Sequence, residues 1–198
     1  MYKFLSIIVL IIYCSSCNPW EEGERYQEGF QKAINGEYKA ATNIFLELEK
    51  EDSSRKSINS YLKVLEDVQN HKINDEVTKK LFQAFSMGRM SGDTTKLSLI
   101  KSAIRLYPEY AISYKELGNV YFYRKDYIDA ISNYKKAINL DSTFFGLHYN
   151  VALAYDESGN EDEAYRYYKK FVALNPDSND RYVQYANLRI LELESYSF

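Results

Sequence analysis

Cysteine and histidine are the side chains with the widest chemical repertoire, as nucleophiles, proton carriers and metal ligands, and each occurs only twice among the 198 residues. Both cysteines, Cys14 and Cys17, fall near the N-terminus, so the rest of the chain offers no thiol for catalysis or for a disulfide. His71 lies in a polar Asn-His-Lys segment that is typical of a solvated turn. The sequence has no Cys–His arrangement, metal-ligand spacing or glycine-rich phosphate loop. We therefore predict that the protein is not an enzyme and uses no metal and no cofactor.

Carboxylates are the other reactive groups, and four of them cluster at Asp156, Glu157, Glu161 and Asp162. Paired carboxylates could act as a general acid and base or bind calcium. The cluster falls at one expected turn between two helices, and a solvated turn explains its composition better. Across the chain 25 Lys and Arg face 28 Asp and Glu, which gives a formal net charge of −3 without a clustered basic excess. This balance argues against nucleic acid as a partner.

The first 16 residues have the composition of a targeting segment. Lys3 precedes an apolar run from Phe4 to Tyr13, which is much shorter than the roughly 20 residues that span a bilayer. A basic start, a short apolar core and small residues are typical of a secretory signal peptide. The segment Ser15-Ser16-Cys17 resembles the lipobox of bacterial lipoproteins, although Cys14 stands where that pattern usually has an aliphatic residue.

The lipobox resemblance implies that Cys17 is lipidated and becomes the mature N-terminus, which tethers the protein to a membrane without spanning it. Residues 1–16 are then the signal peptide, and residues 17–24 form a short tether. Asn18 is not the aspartate that retains lipoproteins in the inner membrane of some enteric bacteria, so we expect the outer membrane, on its periplasmic or surface face. The alternative is a cleaved export signal with an incidental cysteine.

The body of the chain contains an internal repeat. The segment Tyr114-Lys-Glu-Leu-Gly-Asn-Val-Tyr121 has a counterpart one period later, in His148-Tyr-Asn-Val-Ala-Leu-Ala-Tyr155. A period of about 34 residues with this order of large and small residues resembles the tetratricopeptide repeat (TPR) family. The resemblance implies an all-α, right-handed solenoid of antiparallel helix pairs that holds a partner and performs no catalysis. His148 stands where the family has a packing aromatic, so we expect it to fill the core.

The repeat period divides residues 25–198 into units. The boundaries are 22–55 for a partial match, 77–110 for a divergent unit, 111–144 and 145–178 for clear matches, and 179–194 for a capping helix. Residues 56–76 are irregular, because a helix expected at 57–69 has no place in the alternation. This helix either pairs atypically with the next one or packs outside the array. We expect any feature specific to this chain to lie between residues 57 and 93.

Within each clear unit, large residues on one helix are expected to face small residues on the other, which sets the crossing of the helices. Gly118 should let the second helix approach closely, and Asp126 should cap that helix. The predicted packing residues are Tyr114, Leu117, Gly118, Tyr121, Ala130, Tyr134 and Ala137 in one unit, and Tyr155, Ala164, Tyr168 and Pro176 in the next.

TPR arrays bind peptides on a concave face that is lined mainly by the first helix of each pair, and the resemblance transfers this face position by position. The candidate groove residues are Ile112, Lys115, Asn119, Phe122, Tyr123, Tyr149, Asn150, Leu153 and Asp156. Lys115 and two of the asparagines coincide with part of a carboxylate clamp of eukaryotic co-chaperones. The further cations of that clamp would fall at Asp180 and Gln184, and neither is basic. A mixed aromatic and polar peptide groove is the better expectation.

The sequence thus predicts a lipid-anchored scaffold or adaptor of the bacterial cell envelope, with a protein or peptide partner on the concave face and a membrane attachment through its N-terminal lipid. The alternative is a surface lipoprotein that binds glycans or nutrients. Such proteins can carry TPR units, but they add long inserted loops that build the ligand site. No long insertion of this kind is visible in the sequence.

Overall fold

The computed structural model describes residues 19–52, 57–88, 93–175 and 177–195, and every regular element within these ranges is an α-helix, as the sequence predicts. The helices are α1 (Pro19–Ile34), α2 (Tyr38–Glu51), α3 (Ser57–Gln69), α4 (Asp75–Ser86), α5 (Thr94–Leu106), α6 (Ala111–Tyr123), α7 (Tyr127–Leu140), α8 (Leu147–Glu157), α9 (Glu161–Leu174) and α10 (Arg181–Ser195). The expected signal peptide, Cys17 and Pro176 lie outside the described residues. α1 begins at Pro19, within the stretch 17–24 that was expected to be a tether. Proline suits the first turn of a helix, because the N–H that it lacks would have no partner within the helix there.

One packing rule is common to four consecutive helix pairs: a small residue on the first helix faces a large residue 16 positions later on the second. Gly29 contacts Phe45 and Gly118 contacts Tyr134, while Ala84 with Ile100 and Ala152 with Tyr168 each share one buried cluster. A Cβ added to Gly118 would lie 2.5 Å from Cδ1 of Tyr134, and one added to Gly29 would lie 2.8 Å from Cζ of Phe45. At these two positions the facing ring therefore lies closer than an added Cβ would allow without movement of that ring.

The other residues predicted to pack lie in or beside the same cores. Leu117, Ala130, Ala137 and Ala164 are buried, and Tyr114, Tyr121 and Tyr155 are half-buried against the cluster around Tyr134. Tyr168 is fully buried, and its hydroxyl donates to Oδ2 of Asp156 at 3.1 Å.

α3 is an insertion into the array. The interval from Gly29 to Ala84 is longer than the interval from Ala84 to Gly118 by more than half a repeat, and α3 lies within the longer one. α3 packs on α2 and α4, and α1 packs on α4, so the four helices close into a ring. The aromatic rings at its centre, with centroids 5.1–6.4 Å apart, belong to Phe30, Phe45, Tyr61 and Phe82. The inserted helix thus neither pairs with α4 alone nor lies outside the array.

A buried polar contact joins α3 to the start of α6. The hydroxyl of Tyr110 donates to Oδ2 of Asp67 at 3.0 Å, and the Asp67 side chain is only 5% exposed. The ammonium groups of Lys63 and Lys72 lie 3.1 and 3.4 Å from Oδ1 of the same carboxylate. Burial, reinforced by the charge of Asp67, raises the pKa of Tyr110 well above its ordinary value. The hydroxyl therefore remains a donor, and α3 is held by an ion-paired carboxylate as well as by apolar contacts.

Two helices differ in how they are capped. At the start of α4, Oδ1 of Asn74 accepts from the backbone N–H of Val77 at 2.9 Å. The predicted cap by Asp126 is wrong, since its side chain accepts no bond from the first turn of α7. Its backbone, with φ −83° and ψ 66°, departs from the extended conformation usual for capping residues, and its Oδ2 lies 3.7 Å from Nε of Arg124 instead.

The turn between the two helices of a pair has the same form in three pairs. Gly36, Lys125 and Gly159 adopt positive φ of 83°, 64° and 78° at equivalent places. In each turn the backbone N–H of the following residue donates to the carbonyl five positions back, at a distance of 2.9 Å. This is the helix-ending motif that glycine favours. Lys125 adopts this left-handed conformation although it carries a Cβ.

Replacing Lys125 with glycine should raise the free energy of unfolding by about 0.5–1 kcal/mol, because the left-handed conformation costs a residue with a Cβ about 1 kcal/mol or more. Urea unfolding measured by circular dichroism will test this. Arg124→Gly is the matched control, since Arg124 has an ordinary φ of −80° and glycine there should only destabilise. Equal losses for both variants would contradict the assignment of strain to Lys125.

Candidate functional site

A cavity of about 600 Å³ opens on the face of the array to which α6 and α8 contribute. The inserted helix α3 supplies one wall through Ser57, Asn59, Ser60 and Tyr61. The turn before α8, residues 143–146, supplies a second wall. Asn175, Asp180 and Tyr182 bound the cavity where α9 turns into α10. The site is therefore a bounded pocket, built by the inserted helix at one end and the last helix at the other.

Seven of the nine predicted groove residues line this cavity. They are Lys115, Asn119, Phe122, Tyr123, Tyr149, Asn150 and Leu153. Ile112 does not, because its side chain is 1% exposed and packs into the core that α1–α4 enclose. Asp156 is also outside the lining, since Nη2 and Nε of Arg189 on α10 donate to its two carboxylate oxygens at 2.7 and 2.9 Å. Both placements correct the prediction: one side chain is buried and the other is bound by Arg189 of α10.

The floor of the cavity is a hydrogen-bonded polar network. Nζ of Lys115 contacts Oγ of Ser60 on α3 and lies 3.3 Å from Oε1 of Glu116. Nδ2 of Asn119 donates to Oε2 of Glu116 at 3.2 Å, and its Oδ1 accepts from the hydroxyl of Tyr134 at 3.0 Å. Burial, followed by the charge of Glu116, raises the pKa of Tyr134 and keeps that hydroxyl a donor. The cation of the floor is thus already neutralised by a neighbouring carboxylate.

Aromatic side chains form the rim of the cavity. Tyr123 and Phe145 are each 41% exposed, which leaves much of both rings open to a ligand. The ring of Tyr149 is held by Tyr182 and Phe171, whose centroids lie 5.1 and 5.4 Å away. Burial, with the neighbouring tyrosines, raises the pKa of Tyr149 to about 12. The rim therefore combines fixed rings with two exposed ones, a combination suited to stacking on apolar side chains.

The charges of the cavity disfavour a carboxylate ligand. Asp180 is part of the lining and Glu116 is part of the floor, so two acidic groups face the same space. Lys96 also belongs to the lining, but it is only 1% exposed and its Nζ contacts the backbone carbonyl of Gly88. Amide side chains such as Asn119 can instead exchange hydrogen bonds with a peptide backbone. The arrangement fits an uncharged, partly aromatic segment better than a free carboxyl terminus.

His148 packs in the core, as the sequence predicts. It is 5% exposed, and its ring centroid lies 5.9 Å from that of Tyr167. Burial, followed by the charge of Lys170, lowers its pKa, so the ring is kept neutral. Within the described ranges no group of three or more His, Cys, Asp and Glu side chains could hold a metal ion. No helix in that part of the chain is long and apolar enough to cross a membrane.

The contribution of α3 to the site could not be located from the repeat pattern. The helix itself is evident from its apolar spacing, but the repeat period gives it no position relative to α6. The long interval between Gly29 and Ala84 is the signal that identifies it as an insertion. Phe145 was missed because it lies between two helices, outside the positions that the family pattern assigns to the groove.

Comparisons with known proteins agree with this architecture. Residues 118–159 match a family model described as TPR repeat, and residues 145–178 match one described as Tetratricopeptide repeat. Protein bimA of Emericella nidulans is 28% identical over 82 residues, which is 41% of this chain and 10% of that protein. The chain therefore spans about a tenth of the length of this relative.

Two solved structures share the fold. A thermophilic TPR protein of Thermus thermophilus superposes with a TM-score of 0.50 and 21% identity, over 86% of this chain and 99% of that one. The structure of MamA AMB-1 gives a TM-score of 0.51 and 16% identity, over 90% and 87% of the two chains. Residues 118–178 thus carry tetratricopeptide repeats, and the chain has the all-helical fold of TPR solenoid proteins.

Proposed function

We propose that this protein is a lipid-anchored scaffold of the bacterial cell envelope that binds a peptide or helix of a partner protein in the cavity on its concave face. TPR proteins generally mediate interactions between proteins, which supports the broader part of the proposal. The observation that carries it is the cavity itself. One bounded space of about 600 Å³ gathers seven residues that the repeat register assigns to the groove.

The chemistry of the cavity supports a particular kind of partner segment. The exposed rings of Tyr123 and Phe145 offer apolar area at low entropic cost, because each has only two side-chain torsions to fix. Asn119 and Asn150 offer donors and acceptors to a backbone. With Glu116 and Asp180 nearby, we expect the segment to present one or two apolar or aromatic side chains and to lack a carboxylate at the contact.

The anchor rests on the N-terminal sequence. Lys3, the apolar run and Ser15-Ser16-Cys17 support export followed by lipidation of Cys17, with the outer membrane as the expected address. Because α1 begins at Pro19, a lipid on Cys17 would hold the helical body close to the bilayer surface. A scaffold so placed would concentrate its partner at the membrane.

Replacing Tyr123 and Phe145 together with alanine should reduce capture of the partner protein at least tenfold, because exposed aromatic anchors carry much of the energy of such interfaces. The measurement is affinity capture from envelope extracts with the full chain, quantified by mass spectrometry. The double variant Leu106→Ala with Tyr107→Ala is the matched control, since these side chains are 39% and 38% exposed but lie outside the cavity. Both variants should melt at the parental temperature.

Two outcomes of this capture would contradict the proposal. A partner retained equally by both double variants would place its binding site elsewhere on the molecule. Binding to envelope polysaccharide alone, lost with Tyr123 and Phe145, would favour the glycan-binding alternative, in which the same two rings stack on sugar faces.

Metabolic labelling with a fatty-acid analogue should modify the parent chain in a Gram-negative host, because export presents Cys17 to the lipidation machinery. Cys17→Ser should abolish the label, and Cys14→Ser should retain it, since bulky Tyr13 rather than a small residue precedes Cys14. Label that survives Cys17→Ser would overturn the anchor and leave the groove proposal untouched.

A further inference from the structure

The last helix of the described residues, α10, presents an apolar face to solvent. Tyr185, Leu188 and Leu191 are 41%, 61% and 64% exposed. The opposite face is fixed to the array, where Val183, Ala186 and Leu193 are buried in one core with Tyr168. In each of the four preceding pairs a second helix covers the corresponding first helix, and within the described residues none follows α10. A solvent-facing surface of a repeat array is usually polar, so two leucines this exposed are unusual.

Four residues form one stripe along this exposed face. They are Arg181, Tyr185, Leu188 and Glu192, at spacings of four, three and four, which is the period of one side of an α-helix. The stripe has a cation at its N-terminal end, two apolar side chains in its middle and an anion at its C-terminal end. We call it the α10 seam.

The α10 seam is complementary to itself when two copies run antiparallel. Position 181 then faces position 192 of the other copy, and position 185 faces position 188, since both pairs are symmetric about the same midpoint. Each arginine meets a glutamate, and each tyrosine meets a leucine. A parallel arrangement would instead place like charges together at both ends. We propose that α10 pairs antiparallel with α10 of a second copy of this chain, in a twofold dimer.

The two charged side chains of the α10 seam, Arg181 and Glu192, are held in place before pairing. The guanidinium of Arg181 lies 4.9 Å from the ring centroid of Tyr182 and donates to its hydroxyl at 3.0 Å. Glu192 is bound by Nη1 of Arg189, whose other nitrogens hold Asp156, and yet 56% of its side chain is exposed. Its carboxylate therefore has room for a second cation. Fixing both charges in advance lowers the entropy lost on association.

The size of the α10 seam predicts a weak dimer. A single helix face buries much less than the roughly 1,600 Å² of a standard interface. We therefore expect association in the micromolar range, with a dissociation constant that rises with salt, because the end charges are exposed to solvent. A dimer joined at this helix would present two copies of the cavity to partners, so it goes beyond the proposed groove function and does not depend on it.

Sedimentation of charge-reversed chains tests the antiparallel pairing directly. In Arg181→Glu both ends of the α10 seam are acidic, and in Glu192→Arg both are basic, so each variant alone should associate at least tenfold more weakly than the parent. An equimolar mixture of the two should regain dimerisation, because every end charge then meets its opposite. All of these full-length chains contain the apolar run at residues 4–13. Association through that run would be the same in every chain and would not produce a difference between the variants.

A second comparison tests the apolar middle of the α10 seam. Leu188→Asp should abolish the dimer, and Ile128→Asp, at an 85% exposed position on α7, should leave it intact. Unchanged melting temperatures will show that both variants fold. A parent chain that stays monomeric at about 100 µM, well above a micromolar dissociation constant, would leave this face to a helix of another protein and overturn the proposal. The proposal would also be overturned if the mixture of Arg181→Glu and Glu192→Arg were no more dimeric than either variant alone. Equal association of Leu188→Asp and Ile128→Asp would overturn it as well.

Discussion

The structure depends on a short distance between paired helices, set by a small residue opposite a large one. The rule holds in four pairs at a constant offset of 16 positions, and it is tightest where Gly118 meets Tyr134, with only 2.5 Å for an added Cβ. The close approach fixes the geometry of each helix pair. Because successive pairs have the same geometry, they stack on one another and form the array. The groove follows from the same contact, because Tyr134 fills the space beside Gly118 and also donates to Asn119 on the cavity floor.

The insertion of α3 changes this regular plan at one place only. α3 closes a ring with α1, α2 and α4 around a cluster of aromatic rings, and the contact of Asp67 with Tyr110 joins it to the repeats that follow. Its first turns then reach the cavity, where Ser60 contacts Lys115. The cavity is thereby bounded by α3 at one end and, at the other, by α10, which Arg189 joins to Asp156. The boundaries of the cavity therefore arise where α3 interrupts the repeat and where α10 packs on it.

Much of the fold follows from the sequence because helical repeats are specified by local spacing. The positions of Gly118, Tyr134 and their counterparts one repeat later predict both the helices and their pairing, and the register places seven of nine groove residues on the cavity. The failures have a common physical cause. Ile112 is buried in the core that α1–α4 enclose, and Asp156 is bound by Arg189. Both contacts join residues that are distant in sequence, which a local pattern cannot encode. The positive φ of Lys125 could not be predicted from its residue type either, because the turn imposes that conformation on whatever residue occupies the position.

The central claim is that the contact of Gly118 with Tyr134 sets the helix spacing, and the unfolding free energy of Gly118→Ala tests it most directly. Alanine normally stabilises a helix interior by up to about 1 kcal/mol relative to glycine. Here it should destabilise by about 1–3 kcal/mol, because the ring of Tyr134 is 2% exposed and cannot move aside. Gly146→Ala, with nothing within 4 Å of the added Cβ, should have little effect, and Tyr134→Leu should reduce the loss in a double variant. A stabilising Gly118→Ala substitution, or a loss unchanged by Tyr134→Leu, would contradict the account.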